Sequence, residues 1–547
     1  MAQSVSAFLI SRLRDLNVQH VFGIPGDYVL PFFDHLIEEG SPIQHVGTCN
    51  ELTAGYLADG YSRIRGFGVA AVTFGPGAFN AVNAVAGAYD ACVPMLLVSG
   101  APPTAEYQSG RKLQLHHSVG GDLSATLRVF TPITAAVARI DSAEEAVATI
   151  DRLLQVALDQ KKPVYLEIPY NMQKARIPMP EPFTYQAPCG DQQVLRRVVD
   201  QVAAAVNKAK KVGVLVGLFV DRDGLEDVVA EMLERSNLLF ATTFAQKAGY
   251  LEHLSNCVGC YQGATSPEVL DATEGADILL TIGMPRAEFD LLGSAGFKEE
   301  CVIELGHDSV NLQGTVVPGI YLQQLLPCLA AQITPRAKSE VEDKFAFSYT
   351  RLPANPEQKP LTMDFMYQQL AHFVQEGDIV AGNTGGYVSM SRMRLKKGTV
   401  TAGPGNWGSL GSAFPISMGM AFAAPERRVV CLDGDGSFQM TGMELGTLLR
   451  HNLRFMLIIL NNSGYTAERV IHPEREDSYN DIQVWNYHLL PEALGAGKGI
   501  GVEVSTETQL CEALTSYQGD GPSVLNAKLD KMDVPEFFQK MGDMLRH

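Results

Sequence analysis

Leu432 to Glu468 reads LDGDGSFQMTGMELGTLLRHNLRFMLIILNNSGYTAE. Val429 to Leu432 is a short apolar run that predicts a buried strand, and it breaks into Gly434-Asp435-Gly436. Phe438 to Arg450 follows with helix-compatible spacing, and Phe455 to Leu460 is a second apolar run ending in Asn461-Asn462. The pattern is a strand–helix–strand unit with polar residues at the carboxyl ends of both strands, where open α/β sheets place ligands. An Asp after one strand and an Asn after the next supply hard oxygen donors. These suit Mg²⁺, which keeps few protein ligands and bridges to phosphates. The glycines admit close backbone approach, and the N-terminus of the following helix favours a diphosphate. For a bare Gly-Asp-Gly the plain alternative is a helix-capping aspartate. Here 24 residues (437–460) separate the motif from Asn461-Asn462. Gly519-Asp520-Gly521, by contrast, precedes Pro522 and has no Asn pair downstream, so it reads as a turn.

A chain of 547 residues predicts several domains. Its composition, 46% apolar and 19% charged, is that of a globular protein with ample core. The net charge of −18 argues against nucleic acid and anionic membranes as partners. No apolar run reaches the roughly 18 residues of a membrane span. The opening MAQSVSAFLISRLRDL lacks a basic n-region and reads as an amphipathic helix, not a signal peptide. Nine scattered cysteines suggest no disulfide framework. The close pair Cys257 and Cys260 reads as two thiols in a buried strand, so a reducing cytoplasm is the expected location.

Three α/β domains are expected, each a doubly wound parallel sheet. In residues 1–180, strands at Gln44–Val46, Gly68–Phe74 and Pro94–Ser99 alternate with helices at Tyr28–Glu39, from Glu51 onward, and at Ala78–Ala91. A Pro-rich linker precedes the second domain, residues 190–340, with strands expected at Val212–Val216, Leu238–Thr242, Ile278–Ile282 and Cys301–Leu305. That domain shows no phosphate loop and no compact cluster of acid-base residues. A second linker, Thr334–Leu361, leads to residues 362–547, which hold the opening motif.

With Asp27, Glu51 and His116-His117 added to the GDG…NN motif, the chain resembles the thiamin diphosphate-dependent 2-oxo acid decarboxylases along essentially its whole length. The family includes pyruvate, indolepyruvate, phenylpyruvate and branched-chain 2-oxo acid decarboxylases. The resemblance implies pyrimidine-binding, middle and diphosphate-binding domains, in that order. It also implies a homodimer with shared active sites, commonly a homotetramer. The activity implied is non-oxidative decarboxylation to an aldehyde and CO₂ through the cofactor's ylid and enamine. The coenzyme supplies the electron sink for a bond that otherwise leaves an acyl anion.

Residue by residue, the resemblance assigns Glu51 to the pyrimidine ring nitrogen, Gly408 to the exocyclic amine and Leu410 to the wedge that bends the cofactor. It assigns Asp435, Asn462 and the Gly464 carbonyl to Mg²⁺. Further cofactor contacts are implied at Thr73, Thr384, Gly436, Ser437, Tyr465 and Thr466. Asp27, His116, His117 and Glu468 form the implied set of titratable groups. Protonating the species left by CO₂ needs an acid tuned near neutrality, which imidazoles and carboxylates together provide. For each residue there is a plainer reading: a helix-terminal carboxylate for Glu51, a capping aspartate for Asp27, a metal pair for the histidines, and a solvated charge beside Arg469 for Glu468.

Ala467, Ile471 and Phe289 match positions lining the substrate pocket. Small Ala467 favours aromatic or branched 2-oxo acids, although a missing methylene or two is worth only about 1–3 kcal/mol. Asn383, the pair Gly385-Gly386 and Pro76 depart from the commonest family forms. Phe219 falls near the regulatory cysteine of substrate-activated relatives, so no activation through that thiol is expected. The rival readings are a carboligase of the acetolactate-synthase kind, a pyruvate-preferring decarboxylase, a flavin-dependent oxidase on the same scaffold, and a non-enzymatic nucleotide-binding or regulatory α/β protein.

Overall fold

The computed structural model describes residues 2–38, 41–109, 114–178, 181–262, 267–292, 294, 296–337, 355–403, 405–475, 477–495 and 497–546. They fall into two compact units. The first comprises Met1–Ala187 with Pro415–Pro425 and Thr441–His451; the second comprises Pro188–Phe414, Glu426–Met440 and Asn452–His547.

In the first unit six parallel strands lie in the order Gln44–Gly47, His20–Gly23, Gly68–Val72, Met95–Ala101, Val164–Pro169 and Ala136–Arg139. Gly68–Val72, Met95–Ala101 and Val164–Pro169 are buried at every position, as a sheet covered on both faces requires. The helix Glu51–Arg65 starts where the Asn50 side chain accepts from Thr53 N–H, and it stops at Gly66, whose φ is +83°. It crosses the segment Pro415–Pro425 at two glycines. A Cβ on Gly60 would stand 1.8 Å from the Ile416 carbonyl oxygen, and one on Gly419 2.0 Å from that of Leu57.

The single helix expected over Phe438–Arg450 is instead three pieces: Asp435–Thr441, a 3₁₀ turn at Gly442–Glu444, and Leu445–His451. The break has a cause. At it the buried Glu444 accepts hydrogen bonds from Cys49 N–H (3.0 Å) and Thr53 Oγ1 (2.5 Å), at the head of the Glu51 helix.

The second unit contains two sheets. The middle one is parallel through Cys257–Tyr261, Leu239–Thr243, Val212–Val216, Ile278–Ile282 and Val302–Leu305. Its edge is an antiparallel hairpin, Ser309–Leu312 and Thr315–Pro318, additional to the strands expected from the sequence. The turn residues Gln313 and Gly314 both have positive φ, which a two-residue hairpin turn demands. Both thiols of the Cys257/Cys260 pair are buried in a strand, and burial pushes each up to about 12, so neither is a thiolate at neutral pH. This domain does carry a compact polar cluster, which corrects the expectation. Asp221 accepts from Tyr250 (2.5 Å) and Gln246 (2.7 Å), while Asp223 pairs with His307 (2.9 Å), on which Phe219 stacks.

The last sheet runs Val400–Ala402, Ile379–Gly382, Val429–Gly434, Phe455–Asn461, Ser523–Lys528 and Ile500–Val504, all parallel. A fully buried Lys247–Glu252 ion pair joins the middle sheet's loops to it: Lys247 N–H donates to Tyr387 (3.0 Å), and Leu395 N–H donates to Glu252 (2.9 Å). Tyr387 belongs to the helix Thr384–Met390, so this pair braces the element that opens at Thr384. Of the expected linker Thr334–Leu361, residues 338–354 lie outside the described residues. Among the described residues, no helix is long and apolar enough to cross a membrane.

Candidate active site

The strands Val429–Gly434 and Phe455–Asn461 are adjacent and parallel, with Gly434 opposite Leu460. The residues that follow them, Asp435 and Asn462, therefore emerge side by side. They line a cavity of about 220 Å³ in the second unit. Thr384, Gly408, Leu410, Gly436, Ser437, Gly464, Tyr465 and Thr466 line the same cavity, as do Ala467 and Glu468. Met363, Leu460, Val534 and Phe538 add apolar side chains to the lining.

Asp435 is fully buried, and burial pushes its carboxyl up to about 6 against the hydrogen bonds that favour its charge. Its Oδ1 accepts from Gly436 N–H (2.7 Å) and its Oδ2 from Gly464 N–H (3.1 Å). The Asn462 side chain makes no hydrogen bond among the described residues. A carboxylate, an amide oxygen and the Gly464 carbonyl together make an all-oxygen donor set beside a desolvated acid, which fits Mg²⁺. Gly464 has φ +134°, and a Cβ there would lie 1.9 Å from the Asn480 carbonyl oxygen, so only glycine fits this turn. On Gly436 a Cβ would meet the Tyr465 ring at 2.5 Å.

Sequence reasoning missed three residues that shape this cavity or the head of the Glu51 helix. Arg469 is buried, and it donates to the carbonyls of Asn462, Ser463 and Asn480 and to Asp481 (2.6 Å). It staples the loop from below, so the two neighbours part: Arg469 is buried, while Glu468 is exposed and lines the cavity. Asn383, an apparent departure from the family form, caps the helix Thr384–Met390 and donates to Ser437 Oγ (2.6 Å), which also accepts from Gly411 N–H. An Asn immediately before a helix start is a legible cap signal. Glu444 had no local signal, because its partners are about 390 residues away in sequence.

The remaining predicted groups gather in the first unit. Glu51 heads its helix and accepts from Asn80 Nδ2 at 2.8 Å. A Cβ on Gly77 would lie 3.4 Å from Glu51 Oε1 and 3.1 Å from the Thr73 side chain, so these two residues flank one glycine. Thr73 Oγ1 is buried with no partner among the described residues. Pro76 occupies the first turn of the helix Pro76–Asn80, a position that suits proline.

Asp27 and His116 are hydrogen-bonded at 2.6 Å, and His116 stacks on Tyr28 with ring centres 4.7 Å apart. Burial would raise the Asp27 carboxyl, but the hydrogen bond and charge of His116 outweigh it and hold the group below the usual carboxylate range. His117 packs edge-on to His116 with φ +66°, and its buried Nδ1 has no partner among the described residues. Ile471 and Phe289 are not among the residues lining the cavity. Phe289 packs into the same apolar cluster as Ala467, its ring 6.3 Å from that of Phe244.

Three family models match the chain. "Thiamine pyrophosphate enzyme, N-terminal TPP binding domain" covers residues 3–124, the central domain 199–324 and the C-terminal TPP binding domain 381–527. The alpha-keto-acid decarboxylase of Mycobacterium tuberculosis is 34% identical over 554 residues, covering 99% of this chain and 97% of the relative. That of Mycobacterium avium is 32% identical over 550 residues (99% and 96%). The "Probable pyruvate decarboxylase" of Schizosaccharomyces pombe is 31% identical over 545 residues (97% and 95%).

Proposed function

Since the chain belongs to the thiamin diphosphate-dependent 2-oxo acid decarboxylases, we propose that it releases CO₂ from a 2-oxo acid non-oxidatively, returns the aldehyde, and favours aromatic or branched side chains. The observation that carries this reading is one cavity whose lining combines an all-oxygen cation cradle, an exposed carboxylate, several apolar side chains and small Ala467. Asp435, Asn462 and the Gly464 carbonyl would hold Mg²⁺. Thr384, Gly408, Leu410, Gly436, Ser437, Tyr465 and Thr466 would seat the coenzyme with Thr73. Bound thiamin diphosphate supplies the electron sink for the departing carboxylate.

The chain's own residues manage protons. Glu51, oriented by Asn80, is the carboxyl that would exchange a proton with the coenzyme. The Asp27–His116 pair with His117 forms a relay, and Glu468 is its counterpart at the cavity. A relay that delivers a proton favours aldehyde over carbon–carbon bond formation, and this separates the decarboxylase from the carboligase reading. Ala467, with Ile471 and Phe289 around it, would set side-chain size.

The reading carries a homodimer, assembled as a tetramer, in which residues 1–180 of one copy serve the cavity of residues 362–547 in the other. Residues 190–340 form the domain between them. A cytoplasmic location goes with it, supported by nine cysteines that are all free.

The test is a panel of 2-oxo acids assayed for CO₂ and aldehyde, with and without thiamin diphosphate and Mg²⁺. Cofactor-dependent aldehyde formation is expected, lost in Glu51→Gln while coenzyme still binds. Acyloin as the main product, or turnover that ignores the cofactor, would overturn the reading.

A further inference from the structure

We propose that Tyr28 is the positioning residue of the proton relay: its ring is the platform that holds His116 in line with Asp27. This inference rests on the decarboxylase reading above.

His116 sits in a turn outside any helix or strand, and its side chain is more than half exposed, so local structure does not fix its ring. Among the described residues, its hydrogen bonds and ring contacts are to Asp27, Tyr28 and His117. The Tyr28 ring lies nearly parallel to it, with 14° between the planes and 4.7 Å between the centres, a stacked arrangement. The Tyr28 hydroxyl donates to His116 Nδ1 at 3.3 Å, and on the other edge Nε2 donates to Asp27 Oδ2 at 2.6 Å. A carboxylate only accepts, so this arrangement puts a ring proton on Nε2, facing Asp27. The same tyrosine ring meets His117 edge-on, 6.1 Å between centres. One side chain thus orders both imidazoles.

Tyr28 itself is fixed from several sides. It is buried, and it packs edge-on against Phe74 with ring centres 6.0 Å apart. Its carbonyl accepts from Nε2 of the fully buried Gln173 at 2.7 Å, and that amide also donates to the Ile168 carbonyl and accepts from Phe32 N–H. The strand Met95–Ala101 abuts the same carbonyl, since a Cβ on Gly100 would stand 2.2 Å from it. Asp27 directly precedes Tyr28, so the acceptor and the platform share one anchored stretch of backbone. A rigid ring beside an exposed imidazole supplies the positioning that no helix or strand gives His116.

The full-length holoenzyme would be compared with its Tyr28→Phe, Tyr28→Leu and His116→Ala variants and with the Tyr28→Leu/His116→Ala double variant. Each is assayed on pyruvate, 4-methyl-2-oxovalerate and phenylpyruvate, with aldehyde and acyloin both quantified. Tyr28→Leu is expected to lower kcat by about 10–100-fold, the cost of a reacting group misplaced by an ångström, with KM within about threefold of wild type. It should also raise the acyloin share of the product, because slow proton delivery leaves the species formed by CO₂ loss free to attack a second carbonyl. Tyr28→Phe, which keeps the platform, should retain the wild-type product ratio. In the His116→Ala background, Tyr28→Leu should change kcat by less than about twofold, since it acts through the missing imidazole. Tyr28→Met replaces Tyr28→Leu throughout if the latter does not fold. A Leu variant with unchanged kcat, a loss of kcat at unchanged product ratio, or effects that multiply in the double variant would leave Tyr28 a core residue and overturn this inference alone. A wild type that releases CO₂ from none of the three acids with thiamin diphosphate and Mg²⁺ overturns the decarboxylase reading with it.

Discussion

Asp27 and His116 are joined by one hydrogen bond at the surface of a domain, and the proposed relay rests on it. Both side chains are about half exposed, 52% and 58%, so their pairing contributes little to folding. Its effect is on proton affinity: the hydrogen bond and charge of His116 hold Asp27 below the usual carboxylate range. The left-handed backbone of His117, beside Gly75 at φ +70°, is strain of the kind found where function over-determines a conformation. Replacing His116 with Ala is expected to lower kcat by about 10²–10⁴-fold, the usual worth of a positioned acid, while the melting temperature stays within a degree or so. Steady-state kinetics with a thermal melt checks this. A variant that melts several degrees lower would make the pair structural.

At the scale of the element, the strand Val164–Pro169 carries a carboxylate into the core. Glu167 is wholly buried, and burial pushes it up to about 7 although Thr126 and Tyr165 (3.0 Å) both donate to it. The native protein thus keeps this proton up to about pH 7, whereas the unfolded chain releases it near 4.5. Its contribution to stability is full below pH 4.5 and is lost as pH rises through 7. Glu167→Gln should remove that loss. The variant is expected to match wild type near pH 5 and to exceed it near pH 8, by about 2 kcal/mol. Melting curves at the two pH values decide it, and an equal difference at both would refute the assignment. The loop Asn462–Thr466 depends on a side chain in the same way. Arg469 occupies the Asn462 and Ser463 carbonyls from below and leaves the Asn462 amide free for the cavity.

For the whole molecule, the proposed site residues reside in different compact units: Glu51, Asp27, His116 and His117 in the first, Asp435, Asn462 and Glu468 in the second. If two copies exchange these parts, two inactive chains can complement each other. Co-expressed Glu51→Gln and Asp435→Asn chains are expected to recover roughly a quarter of wild-type activity, since half of randomly paired dimers are mixed and each holds one intact site. Each variant alone should be inactive. Mixed dimers, verified by mass, that show no recovery would mean that each site is built within one chain.

Much of this was legible in order along the chain. Apolar runs ending in Gly, Asp and Asn mark parallel strands and the ligand edge of their sheet, because a buried strand and its turn are encoded within about ten adjacent residues. So Asp435 and Asn462 could be placed at the ends of two successive strands, the family resemblance paired them, and Asn383 could have been read as a cap. Tertiary structure alone decided what depends on distant neighbours. Glu444 breaks the expected helix because Cys49 and Thr53 lie against it. Arg469 turns inward because a ring of carbonyls needs a donor. Gly386 is a bare letter in the sequence, and only Leu432, whose carbonyl oxygen would stand 2.9 Å from a Cβ there, shows why it must be glycine.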